Sequence, residues 1–188
     1  MISLCQRMTV ICLLLFACTL ACHAQEATCA LKLTELPQAE ELRGFRLGMT
    51  LEQVKALIPK LALRQADEFG VAKTSVNPDF NPDVNKAAFQ GVRTISFEFL
   101  DDKLFSLGIA YNNSFKWQRL DDFLPQISKA LHLPMRWQAR GWHGQELDCK
   151  DFQATVRMIG ESPSIVLLDK TSKDLLDKRI AEKEETEP

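Results

Sequence analysis

The hydrophobic pattern predicts a short helix with its own start signal at residues 50–58. Four apolar residues recur there at helical spacing: Leu51, Val54, Leu57 and Ile58. Thr50 is a favoured N-cap residue, and Gln53 three positions later completes a capping box. Pro59 disfavours helical geometry at the residue before it, so the helix is expected to end at 58. A helix of two turns is unstable alone, so another part of the chain must cover its apolar face.

Alternation of apolar and polar residues predicts a β-hairpin over residues 92–111. The apolar positions of its two strands are Ile95, Phe97, Phe99, Phe105, Leu107, Ile109 and Tyr111. The polar residues Asp101 and Asp102 begin the turn between the strands. We expect the apolar face of this hairpin to cover the helix at 50–58. Residues 71–76 predict a shorter strand, and the Pro- and Asn-rich segment 77–85 predicts a surface loop.

The second half of the chain again predicts a helix followed by strands. Its amphipathic stripe consists of Trp117, Leu120, Leu124, Ile127 and Leu131. Pro125 interrupts the stripe, so either a helix from Ser114 kinks there, or the helix starts at Asp121 or Asp122 with Pro125 in its first turn. Strand patterns follow over residues 135–168, and Ser172 is expected to cap a last helix that reaches about Ala181.

These elements predict an α+β fold in which helices pack on an antiparallel sheet. The repeated order also suggests two α-β-β modules in tandem. The expected segments are a signal peptide at 1–24, an extended lead-in at 25–43, a first module at 44–113, a second module at 114–170, and a short helix with a charged, disordered tail at 171–188.

The N-terminus has the pattern of an export signal. Residues 10–20 are almost entirely apolar, and Cys22-His23-Ala24 offers small residues at the two positions that a signal peptidase reads. No second apolar run of membrane length follows, so no transmembrane segment is expected after cleavage. A partial lipoprotein box ends at Cys18 and another at Cys22, which leaves a lipid tether as an alternative. The expected location is the periplasm or the medium.

Cysteine usage is consistent with export. Four of the six cysteines lie in the predicted signal, which leaves Cys29 and Cys149. Two cysteines in an exported chain most simply form a disulfide. A free, nucleophilic Cys149 is the alternative, but no basic cluster surrounds it to lower its pKa. The net charge of −2 and the absence of a basic stripe argue against nucleic-acid binding.

Candidate catalytic chemistry centres on His143. Its nearest partners in sequence are Glu146, Asp148 and Cys149, whose spacings match no established metal motif. The serines lack a Gly-x-Ser-x-Gly elbow. We therefore predict no catalytic residue, metal site or cofactor, and a small hydrolase that uses His143 and nearby carboxylates is the least favoured alternative.

A partner-binding surface is predicted at Trp137, Trp142 and His143. Aromatic residues close to arginine are enriched in binding hot spots, and Arg140 lies among these three. Core packing explains Trp137 equally well, because it alternates with apolar Met135 and Ala139. Glycines flank Trp142 and His143, as in an exposed turn.

The segment Leu47-Gly48-Met49-Thr50-Leu51-Glu52-Gln53-Val54, followed by the hairpin, resembles the BamE (SmpA/OmlA) group of envelope modules. It is also similar to the tandem-repeat β-lactamase inhibitor protein. Both families act by binding other proteins, and neither is catalytic. The resemblance implies an exported, non-catalytic protein that binds an envelope or extracellular protein, with a secreted hydrolase inhibitor as the alternative. Ile58 stands where members of the BamE group often have glycine.

Overall fold

Seven antiparallel strands form one sheet with the order β1-β2-β3-β7-β6-β5-β4. The computed structural model describes residues 29–141 and 144–186. The strands are β1 Val71–Val76, β2 Val92–Leu100, β3 Lys103–Tyr111, β4 Gln138–Arg140, β5 Gly144–Asp148, β6 Phe152–Ile159 and β7 Ser162–Asp169. The helices of the described residues are α1 Leu51–Leu57, α2 Leu120–Ala130 and α3 Lys170–Thr186, with 3-10 turns at Leu33–Glu35 and Glu40–Leu42. The predicted α+β fold is confirmed.

The two halves of the chain meet at the centre of the sheet. Residues 44–113 contribute α1 and three strands, and residues 114–170 contribute α2 and four strands. Strands β3 and β7 pair from Ser106↔Leu168 to Ala110↔Ser164, so the sheet is continuous across the two halves. One cluster of buried apolar residues includes side chains from both halves, such as Phe97 and Phe123. The predicted modules therefore share a core.

Helix α1 begins with the predicted capping box. The backbone N–H of Gln53 donates to Thr50 Oγ1 at 3.2 Å, and the backbone N–H of Thr50 donates to Gln53 Oε1 at 2.8 Å. Val54 and Ile58 are fully buried in one cluster with Ile95 and Phe97 of the hairpin. The expectation that the hairpin covers this helix is confirmed.

The hairpin differs from its predicted pattern at one residue. Asp101 and Asp102 both have positive φ, 48° and 66°, as a two-residue type I′ turn requires. The pairing then shifts by one residue, because Phe99 pairs with Leu104 while Glu98 pairs with Ser106. This bulge leaves Phe105 unpaired and turns it away from the main core into a second cluster. The prediction that Phe105 shares a face with Leu107 was therefore wrong.

Helix α2 starts at Leu120, one residue before Asp121 and well after Ser114. Pro125 is the sixth residue of the helix and lies beyond the first turn. The prediction that Pro125 lies in the first turn was therefore also wrong. The helix ends in a Schellman motif: His132 has φ 56°, and the N–H of Leu133 donates to the carbonyl of Ser128 at 2.8 Å. The predicted stripe omitted Phe123, which is fully buried.

The predicted disulfide joins Cys29 to Cys149, with an S–S distance of 2.01 Å. It ties the lead-in to the turn between β5 and β6, where the N–H of Leu33 also donates to Asp151 Oδ1 at 2.7 Å. A free nucleophilic Cys149 is therefore excluded.

Helix α3 is longer than predicted and reaches Thr186, within the segment expected to be a disordered tail. Its buried Leu176 packs on Val71, Leu100 and Phe105, on the sheet face opposite α1 and α2. The Arg179 guanidinium binds both carboxylate oxygens of Asp101, at 3.0 and 2.6 Å. Lys183, in the segment expected to be the tail, forms an ion pair with Glu68, and the charges there resembled a solvated tail because this partner is distant in the chain.

The predicted signal peptide, 1–24, lies outside the described residues. Among the residues that the structure describes, no helix is both long enough and apolar enough to cross a membrane.

Replacement of Thr50 by Ala removes the acceptor for the N–H of Gln53 and is expected to lower the free energy of unfolding by about 1 kcal/mol. Thr50→Ser keeps the hydroxyl and should retain most of that stability. Urea denaturation of the three proteins measures the effect, and an unchanged midpoint in Thr50→Ala would contradict the role of the cap.

Protonation of Asp101 should loosen the attachment of α3. Hydrogen bonds from Arg179 hold the pKa of Asp101 below its ordinary value. The pair therefore stabilises the fold above the unfolded-state pKa of about 4, and this contribution disappears as the pH falls through the lower folded-state pKa. Asp101→Asn should be less stable than wild type at pH 7 and equally stable near pH 2 in urea titrations. A stability difference that persists undiminished at the lower pH would argue against the ion pair.

Candidate functional site

Trp137 lies directly before β4 and is half-buried. Its indole Nε1 donates to Ser128 Oγ at 2.8 Å, and that hydroxyl donates to the carbonyl of Leu124 at 2.7 Å. The ring packs against the main apolar cluster. This geometry supports the core-packing interpretation of Trp137, while its role in partner binding stays a prediction.

Trp142 and His143 lie outside the described residues, in the chain between β4 and β5. The groups that a hydrolase centred on His143 would use are engaged elsewhere. Glu146 forms an ion pair with Arg140, Asp148 pairs with Lys170 at 2.8 Å, and Cys149 is in the disulfide. Within 29–141 and 144–186, no group of three or more His, Cys, Asp or Glu residues is placed to hold a metal ion.

Tyr111 is a buried titratable side chain whose pKa is strongly shifted. Its hydroxyl donates to the carbonyl oxygen of Glu41 at 3.0 Å, and its ring stacks on Phe115. Burial, together with the nearby Glu41 carboxylate, raises the pKa of Tyr111 far above its ordinary value. The phenol therefore stays neutral in the physiological range, and its hydrogen bond supports the core.

The sheet leaves most of one face uncovered, and we call this surface the open face. Helices α1 and α2 pack on the other side, and α3 covers only the end near Val71 and Leu100. The pairing registers define two cross-strand rows on the open face. The first is Thr94, Ala110, Ser164, Arg157, Gly144 and Arg140, and the second is Ser75, Ser96, Gly108, Val166, Thr155, Glu146 and Gln138.

Small side chains form the floor of the open face. Gly108 is central, and a Cβ built there would lie 2.3 Å from Ser96 Oγ and 3.6 Å from Val166 Cγ2. These residues line a trough of about 290 Å³ that also includes Ala110 and Ser164. The Ser96 side chain occupies the space directly above Gly108, so a larger residue at position 108 would clash with it.

Two apolar side chains are exposed on the open face. Val166 is 37% exposed at the centre, and Ile159 is 48% exposed where β6 ends. Both line the trough. They provide apolar contact area beside a polar, small-residue floor.

Some charged side chains of the open face form ion pairs with each other, and others do not. Lys73 pairs with Glu98 at 2.9 Å, and Arg140 pairs with Glu146. Arg93, which lines the trough, and Arg157 have no ion-pair partner among the described residues. Thr94, the neighbour of Arg93, and Arg157 are three strands apart in the first row, so their Cα atoms are about 14 Å apart.

Comparison of the chain with protein-family models, with curated proteins and with solved structures finds no match.

Replacement of Trp137 by Phe keeps an aromatic ring but removes the donor to Ser128. We expect the free energy of unfolding to fall by about 1 kcal/mol, the net value of a typical hydrogen bond. Ser128→Ala and the double variant complete a double-mutant cycle, and chemical denaturation supplies the energies. A coupling energy of zero between the two positions would show that this hydrogen bond does not stabilise the fold.

Proposed function

We propose that the protein is exported and non-catalytic, and that it acts by binding another protein of the envelope or extracellular space through the open face. The observation that carries this proposal is the uncovered sheet surface itself. Large exposed areas that combine apolar groups with polar neighbours are typical of interaction sites, and here Val166 and Ile159 supply the apolar groups.

The chemistry of the open face favours a partner with acidic and large apolar side chains. Arg93 and Arg157, which have no ion-pair partner within 29–141 and 144–186, can bind carboxylates on the partner, and arginine is among the residues most enriched in hot spots. The trough of about 290 Å³ beside Val166 leaves room for an aromatic or long aliphatic side chain. Its walls are strands, which hold their positions without reordering on binding.

The disulfide supports export. Bonds of this kind form and persist in oxidising compartments, whereas the cytosol keeps thiols reduced. The apolar N-terminal run in the sequence agrees with this location.

Replacement of Val166 by Arg tests the proposal. The new side chain would fill the trough and add repulsive charge next to Arg93 and Arg157, so capture of the partner should fall at least about tenfold. Crosslinked pull-down from the envelope fraction, quantified by mass spectrometry, identifies proteins that wild type retains and this variant loses. Binding is then remeasured with the purified candidate.

The matched control is Phe80→Arg, which places the same side chain on the 77–85 loop, where Phe80 is 84% exposed. This variant should capture the partner like wild type, and both variants should keep the wild-type circular dichroism spectrum. A partner retained by Val166→Arg but lost by Phe80→Arg would move the binding surface to the loop. A partner lost only when both Trp142 and His143 are replaced by Ala would move it to the segment between β4 and β5.

A further inference from the structure

One side of helix α3 packs on the sheet, and the opposite side is exposed. Leu176 and Ile180 belong to the side that faces the sheet. The exposed side carries a row of residues at helical spacing, which we call the outer stripe: Thr171, Asp174, Leu175, Lys178, Ala181, Glu182 and Glu185. Leu175 is 43% exposed, and it would gain free energy if another surface covered it.

The outer stripe is acidic. Its carboxylates are those of Asp174, Glu182 and Glu185, and its one cation, Lys178, pairs with Glu182 at 3.6 Å. Asp174 and Glu185 have no ion-pair partner within 29–141 and 144–186. The open face has the opposite imbalance, because two of its arginines have no carboxylate partner in that part of the chain. Two surfaces of the same chain therefore carry complementary charges.

The open face has room for one more helix beside α3. Helix α3 lies over Leu100 of β2, and Thr94 of the first row is six residues away on the same strand, about 20 Å. A helix is about 10 Å wide. The first row crosses six strands, about 24 Å, and the 17 residues of α3 span about 25 Å. The uncovered area, which includes the trough beside Val166 and Ile159, therefore has the dimensions of α3 itself.

Helix α3 already crosses the strands of its own sheet. It follows β7 directly, and the N–H of Lys170 donates to the carbonyl of Asp151 in the β5–β6 turn at 2.9 Å. Further along the helix, Arg179 binds Asp101 and also donates to the carbonyl of Phe69, just before β1, at 2.8 Å. Since α3 covers one end of the open face and the trough lies at the other end, a second helix could lie alongside it without a clash.

We propose that the open face binds α3 of a second copy of this chain, in a two-fold symmetric dimer. A two-fold axis that runs across the strands turns one sheet over onto the other, and each α3 then lies at the trough end of the opposite open face. The same contact forms twice, as a closed dimer requires.

The symmetry also determines which side chains meet. With this axis, each strand lies opposite the same strand of the second copy. Asp174, five residues after the end of β7, would therefore lie close to Arg157 on the neighbouring strand β6. Leu175 would pack in the trough beside Val166 and Ile159, which gives all three exposed apolar side chains a cover.

This inference rests on the proposed function in one respect, namely that the open face is a protein-binding surface. It adds a means of regulation, because the second copy and the envelope partner would compete for the same surface. The dimer is measured with the purified protein alone, whereas the proposed function is measured by capture of a partner, so the two can fail separately.

Sedimentation equilibrium of the purified protein tests the dimer, in a concentration series up to about 100 μM. We expect a monomer–dimer equilibrium. Its dissociation constant should rise with salt concentration, because ion pairs between exposed groups are screened.

Leu175→Arg removes the apolar contact and places a cation next to the arginines of the open face. The dissociation constant of the dimer should rise at least about tenfold. The matched control is Phe80→Arg, which introduces the same side chain on the exposed 77–85 loop and should dimerise like wild type. Both replaced side chains are exposed, so both variants should keep the wild-type circular dichroism spectrum.

A charge exchange tests the individual contact. Arg157→Asp and Asp174→Arg each place like charges opposite one another, and each should weaken the dimer at least about tenfold. The double variant restores an attractive pair and should recover most of the affinity. A double variant that dimerises no better than the two single variants would contradict the proposed packing.

Three further results would overturn the proposal: a monomer at every concentration, a dimer that persists in Leu175→Arg, and an equal loss in Phe80→Arg. A monomeric protein that captures an envelope partner and loses it in Val166→Arg would reject the dimer and support the proposed function. A dimer that Leu175→Arg dissociates, in a protein that captures no partner, would support the dimer and reject the proposed function.

Discussion

The antiparallel pairing of β3 with β7 is the interaction on which the rest of the structure depends. It joins a three-stranded sheet to a four-stranded one over five residue pairs, Ser106↔Leu168 to Ala110↔Ser164. Without it, each half would expose a long strand edge and half of an apolar face. With it, α1 and α2 cover one continuous core that includes Phe97 and Phe123.

The same pairing creates the open face. It brings Gly108 of β3 next to Val166 of β7, and it aligns both with Ser96 and Thr155 in a row that crosses the sheet. Large side chains in this row would fill the trough, so its small residues determine the shape of the surface. The helices cannot cover it because the connections place α1 and α2 on the other side.

Two contacts between segments far apart in the chain limit how much of the sheet remains exposed. The disulfide and the Leu33–Asp151 bond hold the lead-in against the β5–β6 turn. The pair between Arg179 and Asp101 holds α3 over one end of the open face, where Gly70 leaves space for both side chains.

Structural features that depend on a few neighbouring residues could be predicted from the sequence alone. The capping box at Thr50 and Gln53 needs only the spacing of two side chains, and the hairpin turn at Asp101 follows from alternation on both sides of it. The Cys29–Cys149 bond followed from counting, since the predicted signal contains the other four cysteines. The sequence alone predicts these features because they depend on interactions between residues close in the chain, or because only one partner was available.

Tertiary contacts decided the remainder. The bulge turns Phe105 towards Leu176 of α3, and α3 continues into residues that local charge patterns assign to a disordered tail. Val166 belongs to an apolar run whose two faces cannot be distinguished until β7 is paired with β3. The open face therefore cannot be predicted from the sequence by itself. It consists of residues from strands far apart in the chain, and only the order of those strands brings them onto one surface without a cover.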